Sequence, residues 1–237
     1  MKLFYKEDYF DEFNGKYESI SDEEFELLRK YLPKINKKAR ILDLGCGSGA
    51  LGEHVKNFQS ESSVFGLDIS LPLLRKCSIS CCQSDASCLP FKDESFDVII
   101  AAAAYHHFPD FNKAISEPFR CLRPGGYFFA YEPNKFHPHR FLLMTNPLRH
   151  IFYRTGDHAI SPQSFANKLK RIGFINLQIH YVALANEKSS WFARFNKHVY
   201  DTVANSRLDG VSCLLAPWFI VTGIKSAHHL TPSKPRW

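Results

Sequence analysis

Apolar and polar positions along the chain fall into blocks that predict strands and helices by turns. Arg40-Ile41-Leu42-Asp43-Leu44 reads as a buried strand, and a helix over about 50–58 follows a cluster of glycines. Ser63-Val64-Phe65-Gly66-Leu67 and Ile79 to Gln83 read as two further strands, with a short helix opening near Pro72 between them. Phe96 to Ala103 is almost wholly apolar, as a parallel strand covered on both faces requires. Residues 110–122 suit a helix that stops at Arg123-Pro124-Gly125-Gly126, and Tyr127 to Tyr131 is the fifth strand. Upstream, Ser21-Asp22-Glu23-Glu24 has the form of a capping box. Phe25, Leu27, Leu28, Tyr31 and Leu32 follow it at helical spacing until Pro33.

This βαβα rhythm predicts a doubly wound, mostly parallel α/β sheet, and 237 residues suit a single domain, 1–237. After residue 132 the rhythm breaks in a stretch rich in Pro, His and Arg. It resumes with a helix at about 162–172, a strand at about 174–184, an amphipathic helix over 189–207 and a last strand from Trp218 to Lys225. The tail from Ala227, with Pro232 and Pro235, is expected to be loose. The longest apolar stretch, Leu214 to Ile224, is too short to span a bilayer and contains Pro217 and Gly223.

Seven cysteines, at 46, 77, 81, 82, 88, 121 and 213, follow no disulfide framework and contain no C-x-x-C pair. The opening MKLFYKEDYF lacks the basic and apolar regions of a signal peptide. Free thiols, no metal and a reducing, cytoplasmic location are the expectation. The net charge of +6 is unevenly spread. Residues 1–26 carry three lysines against nine acids, whereas 133–173 carry seven Lys and Arg against Asp157 alone.

Asp43-Leu44-Gly45-Cys46-Gly47-Ser48-Gly49-Ala50-Leu51-Gly52 lies between a strand and a helix, where glycines let a ligand approach the backbone amides. Two registers satisfy G-x-G-x-x-G/A, so a dinucleotide loop is a serious rival reading. Asp68, at the end of the second strand, suits ribose hydroxyls in either case.

The downstream segments separate the rivals. ILDLGCGSGALG (41–52), VFGLDIS (64–70), SDASCLPFKDESFDVIIAAAAYHHF (84–108) and CLRPGGYFFAYEPN (121–134) together resemble the class I S-adenosylmethionine-dependent methyltransferases. The likeness is to the group that includes ubiquinone-biosynthesis and other small-molecule enzymes. It implies a Rossmann-like sheet of seven strands whose last strand is antiparallel, and S-adenosylmethionine as cofactor with S-adenosylhomocysteine as product. Position by position, it implies that Asp43 holds the methionine end and that Gly45, Gly47 and Gly49 pass beneath methionine and ribose. Asp68 would accept both ribose hydroxyls, Ile69 would lie on the adenine face, and Asp85 and the Ala86 amide would meet the adenine edge. The backbone at Ala101 and Ala102 would close the methionine side.

His106 or His107, after the fourth strand, is a candidate general base, against a reading in which His107 packs or hydrogen-bonds behind the loop. Glu132 and Asn134 are candidates for orienting the acceptor, and Glu117 reads as a helix acid paired with a neighbour. The N-terminal segment 1–32, with Tyr5, Tyr9, Phe10, Phe13 and Tyr17, is either a lid over the cofactor or a docked helix, and Tyr9 is a candidate substrate contact.

Residues 133–173 are expected to form a substrate cap after the fifth strand. Arg140, Arg149, Arg154, Lys168, Lys170 and Arg171 there favour an anionic small-molecule, lipid-linked or sugar acceptor. The chain offers three competing readings: an RNA acceptor bound by the same basic segment, a non-catalytic nucleoside-binding protein, and weak membrane-surface association through 189–207.

Overall fold

The computed structural model describes residues 20–34, 38–138, 141, 160–183, 191–205 and 211–227. Seven strands form one sheet: β1 (Arg40–Leu44), β2 (Ser63–Asp68), β3 (Ser80–Gln83), β4 (Phe96–Ala102), β5 (Leu122–Pro133), β6 (Phe174–Val182) and β7 (Trp218–Lys225). Their order is β3-β2-β1-β4-β5-β7-β6. The pairs from β3 to β5 are parallel, while β7 runs antiparallel to both β5 and β6, as the family resemblance implies.

The central strands are apolar because both faces are covered. Along β4 and β5, successive side chains take opposite sides, so Ile99 and Phe128 enter one core and Ile100 and Phe129 the other. The helices α1 (Asp22–Leu28) and α2 (Ala50–Phe58) cover the second face, with Phe25, Leu28, Leu51 and Val55 buried. Ser21 caps α1 by accepting from the Glu24 N–H, which satisfies one of the amides that a helix start leaves unpaired. A short α3 (Leu71–Leu74) links β2 to β3, with Pro72 in its first turn.

The other face is covered by α4 (Phe111–Cys121) and α5 (Pro162–Ile172), whose Ala114, Ile115, Phe165 and Leu169 are buried. The segment 133–173, expected as a cap, thus contributes in part to the core. Its last third is a core helix that runs from the sheet's carboxyl edge to the opposite edge, where Gly173 leads into β6 beside Lys225. Lys168 rests its ammonium on the Phe111 ring, 4.7 Å from the centroid, and donates to Asn112 Oδ1 at 2.9 Å. Lys170 and Arg171, in the last turn, lie at the edge away from the glycine loop. Arg140, Arg149, Arg154, Leu142, Leu143 and Met144, like Tyr9 and the other N-terminal aromatics, lie outside the described residues.

Two elements run beyond expectation. β5 begins at Leu122, because Arg123-Pro124-Gly125-Gly126 forms an irregularity between the Phe96–Leu122 and Val98–Tyr127 pairs and does not end the strand's pairing. A turn of helix not expected from the sequence, α7 (Ser212–Leu215), precedes β7. The amphipathic helix α6 (Trp191–Ala204) is tied to β6 by Tyr200, whose hydroxyl donates to the Tyr181 carbonyl at 2.6 Å. Among the described residues, no helix is long and apolar enough to cross a membrane.

Candidate functional site

The strand order reverses direction between β1 and β4, which opens a crevice beyond the carboxyl ends of the strands. The glycine loop, Asp68, Asp85, the exit of β4 and the end of β5 all gather at that edge.

Backbone bonds hold the loop to β2. Gly45 N–H and Cys46 N–H donate to the Leu67 carbonyl at 2.7 and 3.0 Å, and Gly47 N–H donates to Asp68 Oδ2 at 2.8 Å. Gly45, Gly47 and Gly49 have φ of 72°, 54° and 88°, in the left-handed region where side chains are strained. A Cβ on Gly45 would stand 2.6 Å from Ala104 Cβ, so this glycine lets the loop touch the exit of β4. A Cβ on Gly47 would meet only Leu73, at 3.8 Å, so the loop is open on that side.

Asp68 sits half-buried at the open side. Its Oδ1 accepts from Ser70 N–H and its Oδ2 from Gly47 N–H, both at 2.8 Å. A carboxylate offers about four acceptor lone pairs, so these bonds leave acceptor capacity for a ribose hydroxyl. Burial raises its carboxyl above the usual range, and the hydrogen bonds from Ser70, Gly47 and Ile69 and the nearby His107 work against that rise. The open glycine cradle and the twin-acceptor carboxylate therefore fit the ribose and methionine portions of S-adenosylmethionine.

Asp43 lies underneath. It is buried, and its Oδ2 accepts from Gly52 N–H at 2.9 Å, so it anchors α2. Burial pushes its carboxyl up to about 7, with Asp68 adding to the rise. Asp85 is half-buried and its Oδ1 accepts from Ser87 N–H at 2.8 Å, with Ala86 buried beside it. The loop that continues from there is held by α4. Glu117 accepts from Leu89 N–H at 2.8 Å, and Arg120 donates to the Leu89 and Phe91 carbonyls and to Glu117. Glu117 thus pairs with a neighbour, as the sequence predicts. Ile69 and Ala102 are half-buried at the strand tips, and Ala101 is fully buried.

Two expected acceptor contacts are placed differently. Glu132 is fully buried; its Oε1 accepts from Ala104 N–H at 2.9 Å and Tyr105 N–H at 2.7 Å, and its Oε2 lies 2.8 Å from His106 Nδ1. Asn134 is also fully buried. Its Nδ2 donates to the carbonyls of Cys213 and Ala216, and its Oδ1 accepts from Phe136 N–H. Neither side chain presents a polar atom to an acceptor, because each is spent on joining segments that are far apart in sequence. His106 is buried against Glu132, whereas His107 is half-buried beside it, with ring centroids 3.9 Å apart.

Sequence reasoning missed how β4 ends. Ala103 adopts φ of +51° and donates its N–H to the Tyr131 carbonyl at 2.7 Å, which turns the chain towards Glu132. No residue type there announces the turn, since alanine is a poor marker of left-handed backbone. Among the described residues, no three His, Cys, Asp or Glu side chains converge as a metal site, and all seven cysteines are free.

Comparison with known proteins agrees with this geometry. The methyltransferase domain family matches residues 42–130, which run from β1 into β5. A phthiotriol/phenolphthiotriol dimycocerosates methyltransferase of Mycobacterium ulcerans is 35% identical over 95 residues, covering 37% of this chain and 35% of its own length. A demethylmenaquinone methyltransferase of Thermus thermophilus is 34% identical over 102 residues, 39% of this chain and 46% of its own. The matches thus span between a third and a half of these relatives' lengths. Among solved structures, a Haemonchus contortus phosphoethanolamine N-methyltransferase in complex with S-adenosyl-L-methionine superposes with a TM-score of 0.66 at 17% identity. It covers 95% of this chain and 58% of its own. A Thermotoga maritima S-adenosylmethionine-dependent methyltransferase gives 0.63 at 16% identity, covering 85% and 87%. At such identities these structures establish the fold.

Proposed function

We propose that this chain, a class I S-adenosylmethionine-dependent methyltransferase by its domain at residues 42–130, methylates a small-molecule acceptor that is lipid-linked or otherwise largely apolar. The observation that carries the cofactor assignment is the Asp68 carboxylate, braced by two backbone amides beside an open left-handed glycine loop. The acceptor class rests on the relatives, which are named for a mycobacterial lipid and a menaquinone precursor. It also fits the exposed Phe136 and Phe141 that follow β5. Of the basic residues invoked for an anionic or RNA acceptor, Lys170 and Arg171 lie at the far edge and lend neither reading support.

When bound, the cofactor supplies an electrophilic methyl group on a sulfonium. The chain's task is alignment, which can supply roughly 7–11 kcal/mol of a barrier. Asp68 holds the ribose, Asp85 and the Ala86 amide hold the adenine edge, Ile69 covers its face, and Gly45, Gly47 and Gly49 admit the methionine end alongside Ala101 and Ala102. Asp43 contributes from below, by fixing α2 against the loop. An acceptor that must lose a proton finds its base in His107, which is half-buried, in preference to His106, whose Nδ1 is held by Glu132.

Titration calorimetry with S-adenosylhomocysteine tests the cofactor assignment. The wild type is expected to bind, and Asp68→Ala to weaken binding by about tenfold or more, as loss of a charged acceptor of two hydrogen bonds implies. No binding by the wild type, or equal binding by the variant, overturns it.

A further inference from the structure

The geometry points to Glu132 as a positioning residue: it shapes the methionine side of the cofactor pocket through the β4 exit and sets the tautomer of His106. The inference rests on the S-adenosylmethionine reading above, which gives the pocket its ligand.

Glu132 is a carboxylate with no exposed surface, and both of its oxygens are used. Placing such a group inside a protein is costly unless strong donors meet it. The donors are two consecutive amides, of Ala104 and Tyr105, and the His106 ring, so three successive residues of one turn converge on a single side chain from β5. That turn is strained at its first residue, because Ala103 has φ of +51°, and such a conformation persists only where its surroundings enforce it. The enforcing contacts are the Glu132 carboxylate and the Tyr131 carbonyl, which receives Ala103 N–H.

The turn meets the glycine loop. The closest heavy atom to an imagined Gly45 Cβ is Ala104 Cβ, at 2.6 Å, so Ala104 is pressed against the backbone of the loop. Moving Ala104 by a fraction of an ångström would open or close the space beside Gly45. Glu132 thus acts on the pocket through Ala104 without touching a ligand. Its second oxygen acts on His106. A carboxylate oxygen that faces a ring nitrogen acts as acceptor, so the contact favours the tautomer with the proton on Nδ1. His106 and His107 are ring neighbours, so this choice is made beside a histidine that acts electrostatically on Asp68.

Two variants and a control test the assignment. Glu132→Gln keeps a carbonyl oxygen for both amides but turns an N–H₂ towards His106, whereas Glu132→Ala removes every contact. Lys225→Met is the control for general destabilisation. It removes a buried donor to the Leu122 carbonyl at the opposite edge of the sheet. Each protein is measured, well below its melting temperature, by calorimetry with S-adenosylhomocysteine and by imidazole nitrogen NMR of His106.

Glu132→Ala is expected to lose affinity about tenfold or more, Glu132→Gln to stay within about threefold, and Lys225→Met to melt earlier with unchanged affinity. The Gln variant is expected to move the His106 proton from Nδ1 to Nε2. If Glu132→Ala does not fold, the Gln variant decides alone: an unmoved His106 signal overturns the inference. So does full affinity in Glu132→Ala, or a loss in Lys225→Met equal to that in Glu132→Ala. A wild type that binds no S-adenosylhomocysteine, with the His106 shift intact in the Gln variant, would sink the cofactor reading and leave the Glu132–His106 coupling standing.

Discussion

At the scale of single residues, three acids at the same sheet edge do three different things, and burial separates them. Asp68 is half-buried and retains lone pairs for a ligand, Asp43 is inside and anchors α2, and Glu132 is deeper still and organises a turn. The burial of Asp43 has a consequence for pH. Its native carboxyl titrates at about 7 against an ordinary 3.8, so the native state holds a proton that the unfolded chain has already lost. Stability from this group is therefore greatest at low pH and falls as pH rises from about 4 to about 7. Asp43→Asn keeps an acceptor for the Gly52 amide and removes the titration. Urea melts across that range are expected to show the wild type losing ground to the variant as pH rises. A constant difference would contradict the buried-carboxyl account.

At the scale of elements, α5 shows why composition misleads. Lys168, Lys170 and Arg171 made this stretch look like part of a basic cap, yet they occupy the solvent side of a helix whose other side enters the core. Phe165 is 1% exposed, and its ring lies 4.9 Å from that of Tyr105 and 5.2 Å from that of Phe111. Truncation to alanine is expected to destabilise the fold by about 3–5 kcal/mol, measured by denaturant unfolding. A residue in a cap would change stability little. The boundaries of α2, α5, β1 and β7 were legible from the sequence because caps, prolines and apolar periodicity coincide there. α7 and the left-handed turn at Ala103 were not legible, because each depends on partners distant in sequence: Asn134 for the first, Tyr131 and Glu132 for the second.

For the whole molecule, the course of α5 carries Lys170 and Arg171 to the edge of the sheet away from the glycine loop. Reversing Lys170 and Arg171 to glutamate is expected to leave affinity for S-adenosylhomocysteine unchanged at moderate salt. The two side chains lie at the edge opposite the glycine loop, and exposed charges are screened over a Debye length of about 10 Å at 0.1 M salt. A marked drop would place them near the ligand after all. By itself the sequence determined the alternation of strands and helices, the glycine loop and Asp68. These are local matters, set by side-chain periodicity, by backbone freedom at glycine and by the place of an acid at a strand end. Only the tertiary structure decided which polar residues at that edge remain available to a ligand. Glu132 and Asn134 follow their strand as openly as Asp68 does, but buried amides and carbonyls from other segments needed partners. Burial leaves such groups no water to bond with, so the nearest side chains were drawn inward.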